Sequence, residues 1–580
     1  MRKKAKTKST GTNTDNGADI QVEVAADIPN TAEKHNISNM EAMMHMIKST
    51  IGGGFLAMPE AFHNAGLLVG SIGIVVLGVA VLNMMAFIVR CSQILRSGKY
   101  AILILKEFEN KYDKNDEEEY NKQANNQNNG RELLLPPMDY PDTVEAVFKY
   151  GSGGRFAHWG PFAKKFTTIS LILTYYGVNI IYVCVVASTS KQLIDLHTAD
   201  GAVGSWSHSL HDLSIRWYPL AVAVLIIPMG MVQIIKYLVP FSVIANGLIS
   251  AGTVAMFYFI FTDDGGRNPL REDEVSKLVV WPMTRWSLFA GSALCSMEGV
   301  GMLMHIENSM KNPLGLAGPP SYTLHWSMVI IVLLNGALGF FGYIRYGERC
   351  LGSLPLNLPS DNSLSEAVKI VVTLGILMTY GLQLTVTADL VWQWIKKKAE
   401  KNTIRKHGSK AVIIEKTTKS LEYNVMRFIL IIGTVIIATV VPDVGPMISL
   451  VGSVGFSVLG LIVPVALETV WYWNPESEDD FEEYQQEMNR CDSAAVEDGN
   501  GLASAAALTV KVEKTDKATR NLAIRRILRH VKNSVYVILA LFALTGGAFY
   551  NLREMLTQSP GHNSVQDYTD TSLENTNLNK

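Results

Sequence analysis

Charge is what this chain has least of. Of its 580 residues only 18% are Asp, Glu, Lys or Arg, against roughly a quarter in an ordinary soluble protein. The charges it has are bunched, which leaves long stretches nearly bare of them. Cysteine is scarce as well: Cys91, Cys184, Cys295, Cys350 and Cys491 show no metal-ligand spacing. No metal site is expected. The first 40 residues are polar and lack an apolar core, so no cleavable signal peptide is expected either. A net charge of −2 says nothing about nucleic acid, but there is no basic patch with interleaved aromatics, so no nucleic-acid partner is expected. The stretch Gly151–Gly154 reads GSGG but lacks the Lys-Ser/Thr of a phosphate-binding loop. No nucleophile–base pair sits together in the apolar runs, so the chain is not expected to be an enzyme.

What is present is one apolar run after another. Hydrophobic residues make up 48% of the chain. Eleven segments can be drawn, at 43–65, 67–94, 166–187, 217–235, 239–261, 287–306, 322–343, 367–394, 425–441, 448–467 and 534–550. The ninth is the shortest. The expectation is an all-α polytopic membrane protein with eleven transmembrane helices. The basic loops orient it. Lys396, Lys397, Lys398, Lys401, Arg405, Lys406, Lys410, Lys416 and Lys419 follow the eighth segment, and Arg520, Arg525, Arg526, Arg529 and Lys532 precede the eleventh. Both loops fall inside when the N-terminus is cytosolic and the C-terminus is not. Only Cys350 is then expected on the non-cytosolic side, so no external intrachain disulfide is expected.

Between the runs lie polar pieces. Residues 1–40 read as a disordered cytosolic tail and 552–580 as a non-cytosolic one. A cytosolic insertion spans about 96–165 and contains NKYDKNDEEEYNKQANNQNNG, which cannot pack a core; a second cytosolic loop runs 468–533. Each is a place for regulators to bind, although a solvated loop is the simpler reading. The first five-helix unit is expected at 41–262, the second at 287–467, and an eleventh helix at 534–551.

Two of the runs are interrupted. The first carries Gly52, Gly53 and Gly54 in a row, with Pro59 beyond and His45, Lys48 and His63 around them. Each glycine costs a helix about 1 kcal/mol against alanine. The freed backbone groups need partners, so such a break belongs inside protein or beside a cavity. The sixth run carries Ser296, Glu298, Gly299 and Gly301, and Glu298 is the acid placed deepest in any span. First and sixth are equivalent positions of two five-helix halves, where inverted-repeat transporters put their broken helices and bind substrate. Half-helix amides attract a carboxylate and unwound carbonyls an ammonium.

The blocks HMIKSTIGGGFLAMPEAFHNAG in the first segment, SMEGVGM around Glu298 and HIENSMKNP across Glu307 and Pro313 carry a resemblance. So do GYIRYG at Tyr343, LNLP from Leu356 to Pro359, TYGLQ from Thr379 to Gln383 and ISLVGSVG from Ile448 to Gly455. Together they resemble the proton-coupled amino acid transporters of the amino acid/auxin permease group, within the amino acid–polyamine–organocation superfamily. The resemblance covers about residues 41–550 without the two polar loops. It implies a leucine-transporter-like fold of five plus five inverted helices with an added eleventh, helices 1 and 6 being broken.

It also implies roles. The family uses a histidine just before its glycine-rich break in proton coupling; His45 holds that place, and imidazole titrates near neutral pH. The alternative is a histidine that merely hydrogen-bonds at the end of helix 1. His63 reads as interfacial. The substrate site is expected at Ser49, Thr50, Gly52, Gly53 and Gly54, where the family's Gly-Asn-Ile-Gly-Thr-Gly pattern is replaced by Ser-Thr-Ile-Gly-Gly-Gly. Backbone amides survive that change, while side-chain size and hydroxyl placement do not. Tyr175 and Tyr176 could reach a carboxylate or fill the cavity. Ser296 and Gly299 are expected to line the pocket with Glu298, which is open to reading as proton acceptor, ammonium partner or structural acid, with gating or hydrogen bonding favoured. Asp389 and Glu468 read as interfacial. No cofactor is expected beyond the coupling proton. The expected activity is proton-driven amino acid symport by alternating access at the plasma membrane or the lysosomal or late endosomal membrane. The alternative is an amino acid receptor of transporter-like build that signals with little flux.

Overall fold

The computed structural model describes residues 37–97, 100–104, 135, 137–151, 153–199, 214–232, 235–262, 285–297, 299–319, 321–347, 350–359, 362–407, 419–441, 443–473 and 516–557. Among them, secondary structure is helical apart from one isolated parallel bridge between Ile37 and Met310. Among the described residues, nine helices are long and apolar enough to cross a membrane, and a shorter apolar one runs Ile215–Met231. The difference from eleven lies in the first and fourth segments. The first is cut by its break into α1 (Asn39–Thr50), α2 (Gly53–Leu56) and α3 (Met58–Ala65). The fourth is regular helix only over Tyr218–Met231, whereas the ninth, shortest in sequence, runs Lys419–Val440. The long polar stretches 105–134 and 474–515 lie outside the described residues.

Local chemistry sets the boundaries at the first break. Ser38 and Glu41 form a reciprocal capping box: the Ser38 amide donates to Glu41 Oε2 at 2.7 Å and the Glu41 amide to Ser38 Oγ at 3.3 Å. The cap of α1 at Ser38 thus falls within the stretch 1–40 that reads as tail, and residues 1–36 lie outside the described residues. Pro59 falls in the first turn of α3, where a missing N–H costs nothing. Gly66, at φ 76°, closes that helix and turns the chain into α4 (Leu67–Arg96).

In a bilayer, lipid is as apolar as leucine, so close packing and hydrogen bonds hold helices together. The same kinds of contact dock the described part of the insertion. A helix absent from the sequence reading, α5 (Tyr140–Ala146), continues as a π-turn to Gly151. The buried Tyr140 hydroxyl donates to the Leu459 carbonyl at 2.9 Å, and a Cβ at Gly151 would strike the Trp471 ring at 2.6 Å. The long third helix, α6 (Gly160–Ala199), follows.

Two further joints matter. The fourth segment forms α7 (Tyr218–Met231), and its last carbonyls are capped by Arg427 of the ninth. Arg427 Nη2 donates to Gly230 O at 2.6 Å, Val232 O at 2.9 Å and Thr385 Oγ1 at 3.1 Å, and Nε to Gly230 O at 3.0 Å. Its Nη1 reaches the Tyr423 hydroxyl at 3.1 Å, which in turn donates to Asp389 at 2.7 Å. In the eleventh segment, Gly546 and Gly547 press on Ser287 and Ser453. Asn551 Nδ2 donates to Ser449 Oγ and Ser449 Oγ to Leu288 O, each at 3.0 Å. Glu468 pairs with Lys532 at 2.7 Å.

Candidate functional site

The two interrupted helices cross at their interruptions. After α7 comes α8 (Ile235–Phe261), and then the sixth segment as two half-helices, α9 (Trp286–Ser296) and α10 (Val300–Ser309). A Cβ added at Gly54 would lie 2.7 Å from the Cys295 carbonyl carbon and 2.7 Å from the Ser296 nitrogen. Both are backbone atoms and cannot step aside. Glycine at 54 is therefore what allows the two main chains to touch.

Around that contact the backbone is under-used. Ile51 leaves the helix at φ −80°, ψ 85°, and Gly52 is extended at φ −147°, ψ −156°. The Gly52 amide turns back to Thr50 O at 3.0 Å and the Ile51 amide to Lys48 O at 3.3 Å. The amides of Gly53, Gly54 and Phe55 open the short helix and so have no acceptor within it. On the other side, the Met297 amide closes α9 onto Ala293 O at 3.2 Å, and Leu303 N bonds to Gly299 O at 2.9 Å. Uncommitted amides at the start of α2 and the carbonyl end of α9, brought together here, are the kinds of group that a carboxylate and an ammonium need.

The expected side chains divide. Ser49 Oγ donates to Met46 O at 2.8 Å, Thr50 Oγ1 to Ile47 O at 2.7 Å, and Ser296 Oγ to Ala293 O at 2.8 Å. Their protons are committed to their own helices, and only their lone pairs remain to accept. Gly52, Gly53 and Gly54 are at the break, and the buried Gly299 heads α10. Glu298 lies outside the described residues. Tyr175 is brought to the second break, its buried ring standing against Gly301. Tyr176 is not: its hydroxyl donates to Leu430 O at 3.1 Å and its ring abuts Gly433 in the ninth segment. One helical residue turns it about 100° from its neighbour.

The aromatic that does reach the first break is Tyr182. Its hydroxyl is 3.5 Å from where a Cβ of Gly52 would stand, and its ring, with Ile181, covers Gly53. Position 182 is seven residues after Tyr175, on the same helix face, and that spacing was the available signal. His45 is exposed on α1, between Glu41 and Lys48, and about 10 Å along the axis from Gly52. His63 is half-buried, its ring 5.8 Å from that of Tyr343. Outside the spans, Cys350 is a free thiol held well above its ordinary pKa by burial first and by the Glu60 carboxylate second. No cluster of three His, Cys, Asp or Glu able to hold a metal occurs among the described residues.

Comparison with known proteins gives two kinds of match. A family profile described as "Transmembrane amino acid transporter protein" matches residues 35–483. Among similar proteins, "Proton-coupled amino acid transporter-like protein pathetic" of Drosophila melanogaster is 29% identical over 444 residues, 76% of this chain and 78% of that protein. "Vacuolar amino acid transporter 3" of Saccharomyces cerevisiae is 24% identical over 441 residues, covering 75% of this chain and 51% of that protein.

Proposed function

Taking as premise that the chain belongs to the transmembrane amino acid transporter family, we propose that it carries amino acids by proton symport with alternating access. The observation that supports this most is the backbone contact of the two breaks at Gly54 and Cys295–Ser296. In this reading the spans number eleven, the first ten being two inverted sets of five, with the N-terminus in the cytosol and the C-terminus outside it. The substrate carboxylate is held by the amides of Gly53 and Gly54, with Gly52 giving it room and Tyr182 closing over it. The ammonium faces the carbonyl end of α9, with Ser296 and Gly299 beside it. Glu298, outside the described residues, is kept as its proposed counter-charge on sequence grounds alone. Ser49 and Thr50 offer acceptor lone pairs. Tyr175 braces Gly301 so that α10 keeps its place. His45 takes up and returns a proton in each cycle. The names of the two relatives, one proton-coupled and one vacuolar, favour a proton-driven carrier in an acidic-compartment membrane or the plasma membrane.

The test is uptake by proteoliposomes containing the full chain, over a panel of amino acids, with and without an inside-alkaline gradient. Accumulation that requires the gradient is expected. Binding without accumulation of any amino acid would replace the carrier by a receptor.

A further inference from the structure

The half-helix α10 begins at the crossing and ends in a buried ion pair. On its last turn the Glu307 side chain is wholly buried, and Arg96, on the last turn of α4, is nearly so. Glu307 Oε1 receives Gln93 Nε2 at 3.2 Å and Arg96 Nη1 at 3.4 Å. Gln93 also donates to Pro313 O at 2.8 Å, and Arg96 Nη1 to Asn308 Oδ1 at 3.4 Å. Glu307 Oε2 and Arg96 Nε are buried with no hydrogen-bond partner among the described residues. The bridge from Ile37 to Ser309 and Lys311 touches the same end, through backbone only.

The other charged groups around it are engaged elsewhere. Arg90 donates to Ala317 O at 3.1 Å, and His305 and Lys311 are exposed. Met138 offers its carbonyl to Asn308 Nδ2 at 3.4 Å. Among the described residues, Arg96 is therefore the charge that Glu307 faces.

A buried pair repays its desolvation only with close geometry and every lone pair satisfied, and here one contact is long and one oxygen bare. Of the two partners only the carboxylate can change charge, because a guanidinium stays protonated in proteins. We propose that Glu307 is a second binding site for the coupling proton, and that Arg96 is the latch it releases. The proposal rests on the symport reading. A hydronium ion gives its proton to Oε2: its O–H bond breaks to leave water, a new O–H bond forms, and the carboxyl becomes neutral. Arg96, at the end of α4, then lacks a counter-charge and moves to water, which frees α10 from α4. Loss of the proton to the opposite side restores the pair. Because α10 starts at Gly299, its release bears directly on the substrate crossing.

The full-length protein in proteoliposomes tests this with two assays of an amino acid that the wild type accumulates: gradient-driven accumulation, and tracer exchange at equal pH. Glu307→Gln keeps the shape and the Gln93 contact but cannot cycle a proton. It is expected to lose accumulation and keep exchange, while Glu307→Asp keeps both. Arg96→Gln removes the positive neighbour that favours the carboxylate, so the midpoint of the pH profile is expected to move alkaline by about one unit or more. Wild-type accumulation by Glu307→Gln overturns the proposal. So does loss of exchange together with accumulation in protein that reconstitutes normally, which marks a structural role. An unmoved midpoint in Arg96→Gln overturns it too, and that variant carries the test alone should Glu307→Gln not fold. A wild type indifferent to the gradient would instead remove the symport reading itself.

Discussion

Two buried arginines divide the molecule into parts built on different terms. Arg427 makes five donor contacts within 3.1 Å, to Gly230, Val232, Thr385 and Tyr423, and reaches Asp389 through the Tyr423 hydroxyl. Arg96 meets Glu307 and Asn308 only at 3.4 Å and leaves Nε unpartnered. The same contrast runs through their surroundings. The fourth, eighth and ninth segments are tied by a saturated network, whereas the first, second and sixth meet at bare amides, a bare carboxylate oxygen and glycine-thin backbone contacts. A frame gains from saturation. A part that must adopt two arrangements gains from contacts that cost little to break.

The comparison can be broken at several points. The largest effect is expected from Arg427→Leu. It strands the carbonyls of Gly230 and Val232 and the Tyr423–Asp389 pair, at roughly 3–5 kcal/mol by analogy with half-broken buried pairs. The protein should be recovered in low yield with a much lower melting midpoint in detergent, and a wild-type midpoint would refute the frame. Next comes Gly54→Ala, whose Cβ meets backbone at 2.7 Å. It should abolish uptake in protein that is still made, while Gly52→Ala, whose Cβ meets only the Tyr182 hydroxyl at 3.5 Å, should retain much of it. Equal losses at the two positions would count against the crossing as the critical contact. A smaller change is expected of His45→Ala: an exposed side chain is removed, so folding survives and the pH dependence of uptake flattens. Unchanged pH dependence would take His45 out of the coupling scheme. The smallest is Ile37→Pro, which deletes the amide that bonds to Ser309 O at 3.1 Å, worth about 1 kcal/mol. A slight fall in the denaturation midpoint is the expected result, and a collapse would mean the N-terminal bridge is part of the frame.

Much of this was legible before any coordinates. Three glycines and a proline inside an apolar run announce a break because their helix cost has to serve something. The second break was visible for the same reason at Gly299 and Gly301. That the hydroxyls of Ser49, Thr50 and Ser296 donate to their own helices could not be read beforehand, because a sequence does not say which way a hydroxyl turns. The sequence reading puts Tyr175 and Tyr176 together, whereas helix geometry turns neighbours apart and puts Tyr175 and Tyr182 on one face. The helix at Tyr140 was hidden by the polarity of the insertion around it. Its own pattern, with Tyr140, Thr143, Val144 and Val147 buried, has helical spacing. Glu307 and Arg96 stood at the ends of their apolar runs, where charge reads as interfacial. Only packing shows that both ends are sealed.

The terminal helix changes what counts as the moving mass. Its Asn551 reaches Ser449, which reaches Leu288, so one string of hydrogen bonds runs from the eleventh segment through the tenth into the first half of the broken sixth. Gly546 and Gly547 add contact against Ser287 and Ser453. Under the alternating-access proposal, a tilt of α9 is expected to drag or shear this helix, so restraint of the eleventh segment is expected to slow turnover without touching the substrate.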